Sequence, residues 1–214
     1  MISDNFKHVE NWVFDLDNTL YPPKVRLFDE IEFKMTAWIS NKLKISTQKA
    51  DELRKRYWKT YGTSLAGLMR EYQIEPYEYL SYVHDISFQN LVKDPKLHAR
   101  ISSLPGRKIV YTNGTAAYAE NVLGALGLSD LFECIYGVEN ADFYPKPERA
   151  AYEIIFKKDG LNPIQSAMFE DEYRNLNVPK KMGMKTVLVS PGPRSESYLD
   201  YHTSNLVDFL KNLS

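Results

Sequence analysis

The chain has 214 residues, 43% of them hydrophobic, which suffices for one well-buried core or for a core domain carrying a smaller inserted one. A formal charge of −1 offers no basic excess to draw a nucleic acid polymer, and the single cysteine, Cys134, excludes an internal disulfide or a cysteine-based zinc cluster. No apolar run approaches the roughly 20 residues of a membrane span, and Met1 to His8 lack the basic-then-apolar pattern of a signal peptide, so a soluble, cytoplasmic protein off the membrane is expected.

The first element is a strand that ends in acid. Trp12, Val13 and Phe14 form a short apolar run suited to a strand buried on both faces of a parallel sheet, and Asp15 and Asp17 sit where it must end. Side chains two apart point the same way from an extended backbone, so these two carboxylates can converge on one small volume. Like charges that close resist joint ionisation unless a cation compensates or one keeps a proton. The chemistry on offer is a Mg²⁺ site, a nucleophile, or a nucleophile beside a general acid. A plainer reading makes Asp15, Asp17 and Asn18 turn residues after a core strand, and the motif by itself does not decide.

After the Pro22-Pro23 turn the sheet-like pattern gives way to about 75 residues of helical pattern. Leu27, Ile31, Met35, Trp38, Ile39 and Leu43 fall near a 3.6-residue period. A second helix starts at Ser46-Thr47, with Leu53, Tyr57 and Trp58 on one side; the basic residues Lys49, Arg54, Lys55, Arg56 and Lys59 read as a solvated face, and Gly62 ends the helix. Shorter helices are expected at 65–72, 76–84 and, after Asp94-Pro95, 97–104.

From Pro105 strands and helices alternate. Strands are expected at 108–112, 134–138, 167–169 and 186–189, with helices at 115–126, 147–158 and around 178–182. Such alternation builds parallel strands joined by right-handed helical crossovers. The fold class that follows is α/β, a doubly wound parallel sheet (Rossmann-like) formed by 1–21 and 105–214, interrupted by an inserted α-helical domain, 22–104. No internal repeat or low-complexity segment is visible.

Ligands of open parallel sheets sit at the carboxyl ends of the strands. There the sequence places Asp15 and Asp17, then Thr112-Asn113-Gly114, then Lys146 just before a helix, then Glu170-Asp171. Each has a use in phosphoryl transfer, where catalysis is mostly positioning and charge stabilisation. Asp15 can attack phosphorus to give an aspartyl-phosphate. Asp171, with Glu170, can hold Mg²⁺ against Asp15. The Thr112 hydroxyl and the Asn113 and Gly114 amides suit phosphate oxygens at a strand-to-helix turn, and Lys146 offsets the crowded carboxylates. Singly, each feature has an ordinary structural reading; their conjunction argues for a site.

The run Phe14-Asp15-Leu16-Asp17-Asn18-Thr19-Leu20-Tyr21, then Thr112-Asn113-Gly114, Lys146-Pro147 and Phe169-Glu170-Asp171 with Asn175 resembles the four ordered motifs of the haloacid dehalogenase superfamily. The resemblance implies Asp15 as nucleophile, Asp17 as general acid/base and backbone-carbonyl metal ligand, Thr112 as phosphate ligand, Lys146 as charge stabiliser and Asp171 as Mg²⁺ ligand. It also implies that the helical insertion is a cap that selects substrate. Asp-Asn-Thr-Leu-Tyr, with the segments 61–68 and 82–86, is similar to the pyrimidine 5′-nucleotidase branch. Glu172 after the acidic pair departs from the usual pattern and leaves open whether Glu170 or Glu172 assists the metal.

The expectation is therefore a Mg²⁺-dependent phosphatase, monomeric or homodimeric, acting on a small phosphorylated metabolite, first a pyrimidine nucleoside 5′-monophosphate. Phosphoglycolate, a sugar phosphate or pyridoxal phosphate are the alternatives, and a non-catalytic ligand-binding protein on the same fold is a further one. Dehalogenases share the scaffold, but the resemblance implies that they lack the second acid, here Asp17. Tyr61, Thr63, His84 and Tyr82 are the cap residues expected to contact substrate, with Tyr61 and Tyr82 equally suited to packing the cap's small core.

Overall fold

The computed structural model describes residues 2–213. Six strands, β1 (Asn11–Phe14), β2 (Arg107–Tyr111), β3 (Cys134–Tyr136), β4 (Ser166–Glu170), β5 (Lys185–Val189) and β6 (Tyr201–Thr203), form one sheet in which every pairing is parallel. The spatial order is β3-β2-β1-β4-β5-β6. The chain winds outward one way from β1 to β3 and the other way from β4 to β6, so the order reverses between β1 and β4. That reversal opens a crevice at the strands' carboxyl ends.

The pleat of β1 sorts its side chains between two cores. Trp12 and Phe14 join Val110, Ala167, Phe169 and Val187 on one face; Val13 joins Ile109, Tyr111, Met168 and Leu188 on the other. Phe14 stacks on Phe169 with centroids 4.7 Å apart, which fixes the ends of β1 and β4 at one level. Burying each such ring stabilises by about 2–3 kcal/mol.

Five helices lie in the long interval between β1 and β2, and the first four form a block of their own: α1 (Leu27–Leu43), α2 (Thr47–Tyr61), α3 (Ser64–Tyr72) and α4 (Pro76–Val83). They pack on one another, α1 against α2 and α4, α2 against α3. Their starts are set locally: Ser46 accepts from the Lys49 amide, Thr63 from Ala66, and Glu75 from Tyr77 and Glu78. Such a cap contributes about 1 kcal/mol. The next helix, α5 (Pro95–Ser102), lies against the last, α9 (Leu206–Lys211), and with α6 (Ala116–Leu126) they share the core of the first sheet face. The opposite face carries α7 (Arg149–Asp159), through Tyr152, Ile155 and Phe156, and the short α8 (Asn177–Lys181).

The doubly wound parallel sheet is as the sequence predicts, with three differences. β3 stops at Tyr136, and a 3-10 turn takes 138–141. β6 and α9 follow the last predicted strand; β6 is three half-buried residues at the sheet edge, too short for a readable period. The α2 face is rotated from the predicted one. The buried stripe is Ala50, Arg54 and Tyr57, spaced four and three apart, so Arg54 is buried while Trp58 is 46% exposed. No helix among the described residues is long and apolar enough to cross a membrane.

Candidate active site

Asp15 is still in the ladder, its amide donating to the Phe169 carbonyl at 2.9 Å. Leu16 turns into the core, and the amides of Thr19 and Leu20 return to its carbonyl at 3.3 and 3.0 Å, with Asn18 in the left-handed region at φ 59°. This tight turn leaves Asp15 and Asp17 facing one cavity. It also brings Thr19 back to donate to Asp15 Oδ2 at 2.9 Å.

Lys146 reaches the same carboxylate from the loop before α7. Its ammonium, 1% exposed, donates to Asp15 Oδ1 at 2.7 Å, Glu170 Oε2 at 2.7 Å and the Tyr111 carbonyl at 2.9 Å, which uses all three protons. Asn113 grips the lysine's backbone from both sides: Lys146 N donates to Asn113 Oδ1 at 2.8 Å, and Asn113 Nδ2 donates to the Lys146 carbonyl at 3.1 Å. Gly62, at φ 88°, lies against that carbonyl, and a Cβ there would stand 2.8 Å from it. Burial opposes the lysine's charge, but Asp15 and Glu170 outweigh it and hold Lys146 above the usual lysine range. Burial, with the Asp15 charge, pushes Glu170 up to about 7 against the pull of Lys146. Burial, then Glu170 and Asp15, lift Asp171 well above the usual range.

Asp17 has different neighbours. Its Oδ1 accepts from Tyr21 at 2.5 Å and from Tyr118 at 2.7 Å. Burial and the Asp15 charge raise its pKa to about 6, against the two hydroxyl donors and Lys146. Both tyrosines are pushed up by burial and by Asp17, so both stay protonated as donors. A Cβ on Gly114 would lie 2.9 Å from the Tyr118 ring, so the glycine lets that ring approach.

At the start of α6 the Gly114 amide donates to Thr112 Oγ1 at 2.9 Å, and Thr115 caps the helix by accepting from Tyr118 N. His84, at the end of α4, stacks on the Tyr118 ring at 4.4 Å and lies 3.3 Å from the Thr115 hydroxyl; burial lowers its pKa to about 4, so its ring is neutral. A cavity of about 410 Å³ runs between sheet and helical block. Asp15, Asp17, Thr112, Asn113, Gly114, Lys146, Glu170 and Asp171 line its floor, and Thr63 and His84 line its roof. Tyr61 lies outside that wall, donating to Glu71 Oε1 at 2.9 Å, and Tyr82 is 41% exposed beneath the Lys34 ammonium.

Residues 12–189 match the model of the haloacid dehalogenase-like hydrolases. The chain belongs to that family. A curated relative, Phosphate metabolism protein 8 of Saccharomyces cerevisiae, is 27% identical over 192 residues, 82% of this chain. The chain spans 60% of that relative's length. Among solved structures, a HAD phosphatase from Thermococcus onnurineus superposes with a TM-score of 0.65 at 20% identity, covering 96% of this chain and 98% of that one. A magnesium-bound structure of YfnB from Bacillus subtilis gives 0.63 at 16%, covering 97% and 99%. The L-2-haloacid dehalogenase from Xanthobacter autotrophicus gives 0.60 at 15%, covering 95% and 97%.

A haloacid dehalogenase-like site of this kind has the donor set for a hard cation. Asp15, Glu170 and Asp171 each offer one oxygen, and the three lie within 4.8 Å of one another. Oxygen-only ligation suits Mg²⁺. Lys146 brings one positive charge to three carboxylates, and burial together with their mutual repulsion raises Glu170 and Asp171. The Asp17 carboxylate is not one of the three.

Several side-chain contacts of this hydrolase site are absent from the sequence reading. Thr19 and Tyr21 stand four after Asp15 and Asp17, a spacing that a tight turn converts into contact. Tyr118 is 101 residues from Asp17, and no local pattern announces the pair. Beyond the backbone amide expected of it, Asn113 fixes the lysine loop with its side chain.

Proposed function

We propose that the chain is a Mg²⁺-dependent phosphomonoesterase that works through an aspartyl-phosphate on Asp15, with a pyrimidine nucleoside 5′-monophosphate as first candidate substrate. The observation that carries this reading is the single cavity in which Asp15, fixed by Thr19 and Lys146, stands beside Asp17 with its raised pKa. Asp15 attacks phosphorus, and the bond from phosphorus to the leaving oxygen breaks as Asp17 gives that oxygen its proton. A water then attacks the phosphorus of the aspartyl-phosphate while Asp17 takes its proton. Phosphate leaves, and Asp15 is restored. Lys146 holds Asp15 and balances charge through both steps, and Thr112 with the start of α6 receives phosphate oxygens. Asp15, Glu170, Asp171 and the Asp17 carbonyl would hold Mg²⁺, which would supply the second positive charge that a phosphate needs among these carboxylates. Within residues 22–104, the segment read as the cap, α1–α4 stand over the cavity, while α5 packs with α9 on the sheet.

The test is phosphate release from p-nitrophenyl phosphate with Mg²⁺ and with EDTA, for the wild type and Asp15→Asn. Release that needs Mg²⁺ and is lost in the variant supports the reading. Metal-independent release, or a variant retaining more than a few per cent, sinks it. A panel of UMP, CMP, AMP, phosphoglycolate, pyridoxal phosphate and sugar phosphates then ranks the substrates by kcat/KM.

A further inference from the structure

Three contacts bring the block α1–α4 down onto one short loop, 143–148, which carries Lys146. Gly62 ends α2 with its amide on the Trp58 carbonyl at 3.1 Å and lies against the Lys146 backbone. A Cβ there would stand 2.8 Å from the Lys146 carbonyl oxygen and 3.0 Å from Pro147 Cδ, so no larger residue fits without moving the loop. Arg70 of α3 donates from Nη2 to Glu148 Oε1 at 2.6 Å. Tyr77 of α4 meets the Phe143 ring edge-on, centroids 5.2 Å apart.

The loop is one that needs support. Asp142 and Phe143 stand in the left-handed region at φ 51° and 61°, conformations that persist only where surrounding contacts impose them. Asn113 holds the Lys146 backbone from the sheet side, and the Gly62 turn closes it from the other. Arg70, Glu148, Tyr77 and Phe143 lie outside the cavity wall, so any effect they have on the reaction passes through the loop. Tyr61 belongs to this arrangement too: the Arg70 guanidinium lies over its ring, 5.2 Å from the centre, while Glu71 holds its hydroxyl. The Arg70–Glu148 pair is partly exposed, 45% and 28%, and such pairs contribute weakly, so the close packing at Gly62 is the stronger constraint.

We propose that Gly62, supported by Arg70, positions Lys146: the helical block fixes the 143–148 loop and thereby sets the lysine ammonium against Asp15. Gly62 and Arg70 are positioning residues, and the proposal rests on the phosphatase reading above and deepens it. A block that only selected substrate would, when altered, affect esters according to their leaving groups. One that also seats the lysine affects every ester alike, since Lys146 acts on the nucleophile and the phosphate charge common to all of them.

Gly62→Ala tests this beside Gly160→Ala, which also puts a Cβ at positive φ, 79°, at the end of α7, but with nothing within 4 Å of it. Both are compared with the wild type at a temperature where all are folded. A misplacement of about 1 Å can cost a rate up to about a hundredfold, so kcat of Gly62→Ala should fall about tenfold or more with both UMP and p-nitrophenyl phosphate, each KM staying within about threefold, while Gly160→Ala keeps kcat within about twofold. The amides of Phe143, Tyr144, Lys146 and Glu148 are all hydrogen-bonded, and their exchange with deuterium should be about fivefold or more faster in Gly62→Ala than in Gly160→Ala. A loss confined to UMP, a kcat no lower than that of Gly160→Ala, or exchange no faster overturns the proposal. If the wild type hydrolyses neither ester, the phosphatase reading fails by itself and the exchange rates alone decide whether Gly62 seats the loop. Should Gly62→Ala not fold, Arg70→Glu takes its place: kcat should fall about threefold on both esters and return when Glu148→Arg is added, and no fall or no return overturns the proposal.

Discussion

The Tyr118 hydroxyl donates to Asp17 Oδ1 over 2.7 Å, tying helix α6 to the loop that leaves β1. With Tyr21 on the same oxygen, Asp17 is held by two donors at Oδ1, which in the proposed reaction leaves Oδ2 to carry the proton. Tyr118→Phe keeps the stack on His84 and removes one donor. A hydrogen bond to a charged group is worth about 1.5–3 kcal/mol, so kcat for a nucleotide should fall on the order of tenfold or more. The first step with p-nitrophenyl phosphate, whose leaving group needs no proton, should change little. Equal losses on both esters would assign Tyr118 to packing alone.

Lys146 is the shared partner of two buried carboxylates. Lys146→Met keeps a similar length and leaves Asp15 and Glu170 uncompensated. Breaking a buried pair in this way costs about 3–5 kcal/mol. Urea denaturation without metal at neutral pH should show a loss of this size, along with loss of turnover. A stability change under about 1 kcal/mol would contradict the charge balance drawn around the lysine.

The parts of this site that could be read from the sequence are those joined by strand ends. Asp15 and Glu170 are next to each other because Phe14 pairs with Phe169, and a parallel sheet makes that register a consequence of the apolar runs. Tyr118 could not be read in this way. It sits on a helix where a tyrosine serves equally well as core, and only the packing of helix on sheet turns its hydroxyl toward Asp17. Arg54 was misplaced for a related reason. Its charge suggested water, but Ala50 and Tyr57 set the buried stripe, and two carboxylates let the arginine join it.

His84 gives the protein an acid-sensitive step. Burial lowers its pKa from 6.5 to about 4, so as pH falls the unfolded chain takes up this proton before the folded one. Stability from this group is therefore complete above pH 6.5 and is lost progressively toward pH 4. By pH 5 the loss is on the order of 2 kcal/mol. His84→Phe preserves a ring against Tyr118 and removes the titration, so its urea midpoint should drop less than the wild type's between pH 7.5 and pH 5. Parallel declines in the two proteins would show that His84 does not titrate across folding.

Asp17→Asn separates the two chemical steps. The asparagine side chain can still accept from Tyr21 and Tyr118, so the turn after β1 should hold. It can neither protonate a leaving alkoxide nor take a proton from water. Nitrophenolate leaves without a proton, so the first step with p-nitrophenyl phosphate should survive while the second loses its base. The variant should release a burst of nitrophenolate equal to the enzyme concentration and then slow, with phosphate retained on Asp15. With UMP, whose alkoxide is strongly basic, no burst should appear. Acid quenching and mass spectrometry should find the phosphorylated chain only with the nitrophenyl ester. Slow release with no burst and no phosphorylated protein would mean that Asp17 shapes the turn without moving a proton.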